Sequence, residues 1–158
     1  SLESLQEELK AVDKKIMSVI EEDEDISNKY KLASSVKCVG FVAVCYLLVY
    51  TEGFTRFDSV KQLACHAGIA PFEHSSGTSI RGRTRVHPMA NKTLKTVLHM
   101  CALSSVRHNP ELKAYFKRKV SEGKNKMSVI NAVRNKVLAR VLSCVNNERM
   151  YTENYVAA

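Results

Sequence analysis

KMSVINAVRNKVLARVLSCV, residues 126–145, decides the fold. Val129, Ile130, Val133, Val137, Leu138, Val141, Leu142 and Val145 recur at the spacing of one helix face, not at the alternation of a strand. The face is broad, as expected of a helix against the core; Arg134, Lys136 and Arg140 fall outside it in this reading. Pro110 opens a helix through Val120 with Gly123 as its stop, and Met89 to Val106 carries the same period. Successive helical runs with no alternating segment predict an all-α chain.

Moving toward the N-terminus, Ser35 to Tyr50 is apolar with Gly40 near its start, and Glu52-Gly53 closes it. Asp58 is a plausible N-cap for a helix through His66, stopped by Gly68. Two short helices about a glycine turn resemble a helix-hairpin-helix, whose turn amides can grip a phosphate; two packed core helices are the other reading. Earlier still, Leu2, Leu5, Leu9, Val12, Ile16, Val19, Ile26, Tyr30 and Ala33 follow steps of three and four, interrupted where Asp23 takes a seam position. That stripe predicts a long helix pairing with another helix, the alternative being an amphipathic helix folded onto its own domain. The expected organisation is a coiled-coil helix over 1–34, a helix-hairpin-helix-like unit over 35–68, a domain over 69–148 and a tail over 149–158. The body is a compact helical bundle of about five helices around one functional loop.

The 158 residues carry a net charge of +8, unevenly placed. Residues 1–30 hold nine acids and four lysines, a net of −5, whereas residues 81–140 hold fifteen bases against Glu111 and Glu122, a net of +13. A field of that sign attracts polyanions, most commonly nucleic acid, although a basic surface also serves solubility. The five cysteines (38, 45, 65, 101, 144) form no CxxC pair, which fits buried thiols in a reducing compartment. Cys65-His66 and His99-Met100-Cys101 lack the four convergent ligands of a zinc site, so no metal site is expected. The longest apolar run, Cys38 to Tyr50, has 13 residues where a spanning helix needs about 20, so no membrane segment is expected either. The chain opens with Ser1 rather than Met and shows no signal peptide, as expected of a piece excised from a longer cytoplasmic protein.

Between Pro71 and Pro88 the character changes: Ser75, Ser76, Gly77, Thr78 and Ser79 precede Arg81, Arg83 and Arg85, with no helical period. Such a segment inside a compact domain is a functional loop or a short hairpin. Guanidinium forks match phosphate oxygens, and a serine hydroxyl in that field can attack a phosphodiester, with His74 as the local candidate for general base. A polar turn whose arginines only hold phosphates is the other reading. Lys113, Lys117, Arg118, Lys119, Lys124 and Lys126 form a second basic group suited to backbone phosphates.

GIAPFEHSSGTSIRGRTRV (68–86), Asn91, Leu94 and Lys95, RHNPELKAYFKRKVSEGK (107–124) and NAVRNKVLARVLSCV (131–145) together resemble the C-terminal domain of the Piv-type DNA invertases and their insertion-sequence transposases. The likeness extends from about Leu32 to Val145 and departs at Lys37, at Cys38 and at Pro88-Met89-Ala90, where the family tends to have Pro, Gly and Lys-Arg-Gly. It implies an enzyme with an N-terminal RuvC-like carboxylate domain, which binds Mg²⁺, and a C-terminal serine domain. The nucleophile then maps to Ser76 before Gly77, with Ser75 as the neighbour that could be confused with it. The resemblance implies DNA transposition through a phosphoserine link, with nucleic-acid contacts from Arg81, Arg83, Arg85, Lys92, Lys95, Lys117, Lys124 and Lys126. It further implies a bacterial, nucleoid-associated protein, a homodimer or higher oligomer built on the first helix and, for some members, a guide RNA. This fragment carries no cofactor of its own in that reading and is inactive alone. A non-catalytic nucleic-acid-binding and dimerisation module is the alternative.

Overall fold

The computed structural model describes residues 1–70, 75–76, 80–81 and 88–153. At its centre is α7 (Lys126–Asn146), all eight of whose predicted apolar positions are buried. Around it pack α5 (Lys92–His108), α2 (Glu24–Ser34), α6 (Pro110–Ser121) and α4 (Val60–His66), while α3 (Phe41–Tyr50) lies against α2 and α5. The fold is all-α. Among the described residues the only extended pairing is a two-residue antiparallel ladder, β1 (Ser75–Ser76) with β2 (Ile80–Arg81).

Caps explain where the helices stop and start. Asn109 both ends α5 and begins α6: its N–H donates to the Ser105 carbonyl, and its side-chain oxygen accepts from the Glu111 and Leu112 amides at 3.1 and 3.2 Å. Pro110 follows at the first helical position, where its missing N–H costs nothing. Gly68 and Gly123 take φ of +67° and +85° just past α4 and α6, the left-handed stops read from the sequence. The N-cap of α4 is Ser59, not Asp58. The Ser59 hydroxyl accepts from the Gln62 amide while Gln62 Oε1 accepts from the Asp58 amide, a reciprocal pair of the capping-box kind. The apolar run from Ser35 becomes helical only at Phe41, because Cys38 at φ +69° turns the chain and Gly40 caps α3.

The N-terminal helix is not continuous to residue 34. α1 (Leu2–Glu21) ends, and Asp23 in an extended conformation caps α2, its carboxylate accepting from the Ile26 amide at 3.0 Å. Five successive acids, residues 21–25, repel one another within a turn, and an Asp among them is more useful as a cap than as a seam residue. The last turns of α1 rejoin the body through Met17 and Ile20, but residues 1–12 are exposed throughout. The far end of the chain is tied back by Tyr151 N–H to Ser35 Oγ and by Lys37 to Glu153.

Candidate functional site

The segment carrying the serines is flanked on both sides by contacts at α4. Its first clamp is the carbonyl of fully buried Ile69, which accepts from Asn131 Nδ2 at 2.8 Å and Asn135 Nδ2 at 3.0 Å, both on α7. The second clamp is the His66 carbonyl, which accepts from the Asn91 amide at 2.7 Å, one residue before α5. Between them the ladder pairs Ser75 with Arg81 and Ser76 with Ile80. The two ends of the segment are thus held at backbone carbonyls, one satisfied by side chains of α7 and the other by the Asn91 amide.

Behind the first clamp is a buried polar chain. Arg134, 6% exposed, donates through Nη1 to Asn131 Oδ1 at 3.2 Å and through Nη2 to His99 Nδ1 at 2.6 Å. Its Nε is buried without a hydrogen-bond partner, and among the described residues no carboxylate pairs with it. Burial, and then the Arg134 charge, hold His99 below its usual pKa, so at neutral pH the ring is uncharged and accepts through Nδ1. Burial lowers Arg134 as well, yet a guanidinium keeps its proton. His66 is also lowered, by burial and then by Arg56, with its ring 5.1 Å from that of Phe57.

The placement of Arg134 corrects the expectation that it lies off the buried face. Asn131, Arg134 and Asn135 share one side of α7 at spacings of three and four, and that side faces Ile69 and α5 rather than water. The signal was visible as N-x-x-R-N, but hydrophobic periodicity gives polar residues no credit for meeting a buried carbonyl. Asn131 and Asn135 are likewise residues that sequence reasoning did not single out, and His99 was considered there only as a metal ligand.

Of the residues expected to work, Ser76 and Arg81 lie on the ladder, Arg81 opposite Ser75; Arg83, Arg85 and His74 fall outside the described residues. Lys92 is the first residue of α5 and exposed, and Lys95 follows one turn later, half-buried. Exposed Lys124 and Lys126 flank Asn125, the N-cap of α7. Lys126 precedes the clamp residue Asn131 by about 7.5 Å along the axis. Neither α5 nor α7 has an acid in its first turn, so lysines stand where the helix dipole already favours an anion. Four of the expected lysines therefore stand at the starts of the two helices that supply the clamps. Lys117 is exposed on α6, one helix away. In the rest of the second basic group, Lys119 and Arg118 are engaged by Glu122 at 2.7 and 3.9 Å, and Arg118 lies over the Tyr115 ring, as does Lys136 of α7.

Among the described residues no three His, Cys, Asp or Glu side chains are grouped to hold a metal ion, so these residues do not fit a Mg²⁺ site. The cysteines are free thiols: Cys101 and Cys144 are buried, with Cys101 pushed up to about 11 by burial, and the other three are half-buried. No helix among the described residues is long and apolar enough to cross a membrane.

Comparison with known proteins bears on what this loop and its lysines are for. The chain is 28% identical over 141 residues to the pilin gene-inverting proteins of Moraxella bovis and Moraxella lacunata, an alignment covering 89% of this chain and 44% of theirs. It is 29% identical over 124 residues to the insertion element IS110 uncharacterized 43.6 kDa protein of Streptomyces coelicolor, covering 78% of this chain and 29% of that one. The chain thus spans less than half the length of these curated relatives. Residues 30–117, which run from α2 through the clamped loop into α6, match the profile of the transposases IS116/IS110/IS902. With more than half of its length inside that match, the chain belongs to the IS116/IS110/IS902 transposase family.

Proposed function

We propose that this chain is the part of a DNA recombinase that grips the nucleic-acid backbone and presents Ser76 as the nucleophile for strand cleavage and transfer. The observation that supports the reading is that the segment bearing Ser76 is anchored at its two ends, through the Ile69 and His66 carbonyls, by α7 and by Asn91 at the start of α5, two helices that begin with lysines and lack acids in their first turns. In the reaction Ser76 Oγ loses its proton to a base, for which His74 is the sequence candidate, and bonds to phosphorus. The deoxyribose oxygen leaves and takes up a proton. One phosphoester replaces another, so rejoining needs no outside energy. Arg81, Arg83 and Arg85 would neutralise charge growing on the phosphorus oxygens, and Lys92, Lys95, Lys117, Lys124 and Lys126 would hold flanking phosphates. Carboxylates for Mg²⁺, in a RuvC-like domain, are assigned to the portion of the longer protein that this chain does not span.

The test is Ser76→Ala in the longer protein containing this chain. Covalent protein–DNA adducts should disappear while DNA affinity stays within about twofold; adducts that persist would leave the chain a non-catalytic binding and dimerisation module. Anisotropy titrations of this chain at several salt concentrations address the lysines: replacing Lys92, Lys95, Lys124 and Lys126 with Ala should flatten the log–log salt slope by about 3 to 4. Duplex DNA and an RNA hairpin of equal length, titrated in parallel, separate a DNA backbone partner from a guide RNA. The exposed stripe of α1 is assigned to self-association.

A further inference from the structure

We propose that a second copy of this chain lies antiparallel along α1, so that its Leu2 and Leu5 cover the apolar groove between α1 and α3. The proposal rests on the reading of the α1 stripe as a self-association surface, and adds its direction, its register and the groove beside it.

Three features carry it. First, the two halves of α1 complement each other. Ile16, Val19 and Ile20 of α1, Ile26 of α2 and Leu48 and Val49 of α3 line an apolar groove of about 370 Å³, and Val19 and Val49 are 54% and 72% exposed. Residues 1–12 are exposed throughout, so that half of the helix has an apolar row and nothing over it. An antiparallel pair sets the bare half of each copy against the grooved half of the other, twice by two-fold symmetry, whereas a parallel pair sets like against like. Second, the register closes. Leu2, Leu9 and Ile16 occupy one seam position of the heptad, and Leu5, Val12 and Val19 the other. Antiparallel helices oppose the two kinds, and one register matches all six residues: Leu2 with Val19, Leu5 with Ile16 and Leu9 with Val12. Third, the charges flanking the seam choose the direction. In that register Glu8 of one copy lies beside Lys15 of the other, an ion pair made twice, and Gln6 lies beside Asp13. Parallel helices in register would instead put Glu8 beside Asp13 twice and bring the two runs of five acids, residues 21–25, side by side. Among the described residues neither Glu8 nor Lys15 is in an ion pair within its own chain, so both charges are available to a second copy.

The experiment measures the dimer dissociation constant of this chain by sedimentation equilibrium at low and high salt. Glu8 and Lys15 are both exposed, so exchanging their charges leaves the fold of each copy alone. Glu8→Lys turns two attractive pairs into two repulsive ones and should weaken the dimer about tenfold at low salt, an effect that shrinks at high salt. Lys15→Glu should weaken it to a similar degree. Mixed together, the two variants should associate as tightly as the parent, because each then supplies the charge that the other lacks. In a parallel dimer Glu8→Lys would meet Asp13 and bind more tightly than the parent. Val49→Ser, on α3 and outside the seam, should weaken the dimer about threefold with the urea midpoint of the monomer unchanged. Tighter association of Glu8→Lys, or a mixture no tighter than its separate components, would overturn the antiparallel direction while leaving self-association in place. A dimer unaffected by Val49→Ser would overturn the covering of the groove. A parent chain that stays monomeric would remove the self-association reading and this proposal with it.

Discussion

α1 and α7 are nearly equal in length, 20 and 21 residues, and both carry apolar residues at helical spacing, yet α7 buries ten residues and α1 only Ile20. The difference lies in width and company. The α7 face spans positions three, four and one apart and meets helices on several sides, so almost every turn is covered. The α1 stripe is a narrow seam flanked by Glu and Lys, and Leu2, Leu5, Leu9 and Val12 are between 54% and 78% exposed. A narrow apolar seam is a surface for one partner helix, whereas a wide face requires a surrounding core.

The contrast is broken most forcefully in the middle of α7. Leu138 is fully buried in the core, so Leu138→Ala should lower unfolding free energy by about 2–5 kcal/mol in urea titrations. A loss below about 1 kcal/mol would mean that α7 is not the centre of the core. The walls around α7 depend on the joint between α5 and α6, where Asn109 is 3% exposed and caps in both directions. Asn109→Ala should cost about 1–2 kcal/mol, and Asn109→Asp, which keeps the accepting oxygen, should recover most of it.

How legible this was in the sequence differs between the same two helices. For α7 the eight apolar positions were all correctly assigned to the core, because hydrophobic period and burial agree where a helix is surrounded. Arg134 was misplaced, because its reason for burial is an Ile69 carbonyl reached through Asn131, 62 residues away in sequence, and no local pattern encodes that need. For α1 the stripe was legible, but the break was not: Asp23 fits both a seam and a cap, and the run of acids decides for the cap. At the loop, composition located Ser75 to Arg85 as different in kind, and the Gly68 stop that precedes it was readable. The carbonyl clamps were not, since backbone acceptors have no letter in the sequence.

A smaller effect comes from titration at the polar end of α7. His99 and His66 are both held below their ordinary pKa of 6.5, chiefly by burial. For a histidine depressed in the fold, the unfolded chain binds the proton more readily. The stability this contributes is therefore complete above about pH 6.5 and is lost as pH falls toward the folded values. Unfolding free energy should decline below that pH with a slope of at most about one proton per group. His99→Asn should remove one share of that slope. An acid-side profile identical in His99→Asn and the parent would show that His99 does not couple to folding.

The smallest effect on stability is expected on α1. Leu5 and Leu9 are 63% and 62% exposed, so each already meets water in the folded chain and little is lost by making both polar. Leu5→Ser with Leu9→Ser should change the unfolding free energy of the monomer by less than about 0.5 kcal/mol. The same pair lies in the middle of the row from Leu2 to Val19, and two hydroxyls there would leave a partner helix facing unmatched polar groups along a full heptad. Sedimentation should therefore give the parent chain a mass above the monomer and the double variant the monomer mass. Equal masses for the two would take the seam out of self-association. A large stability loss in a chain that is already monomeric would mean that α1 folds back onto its own body, putting it in the same class as α7.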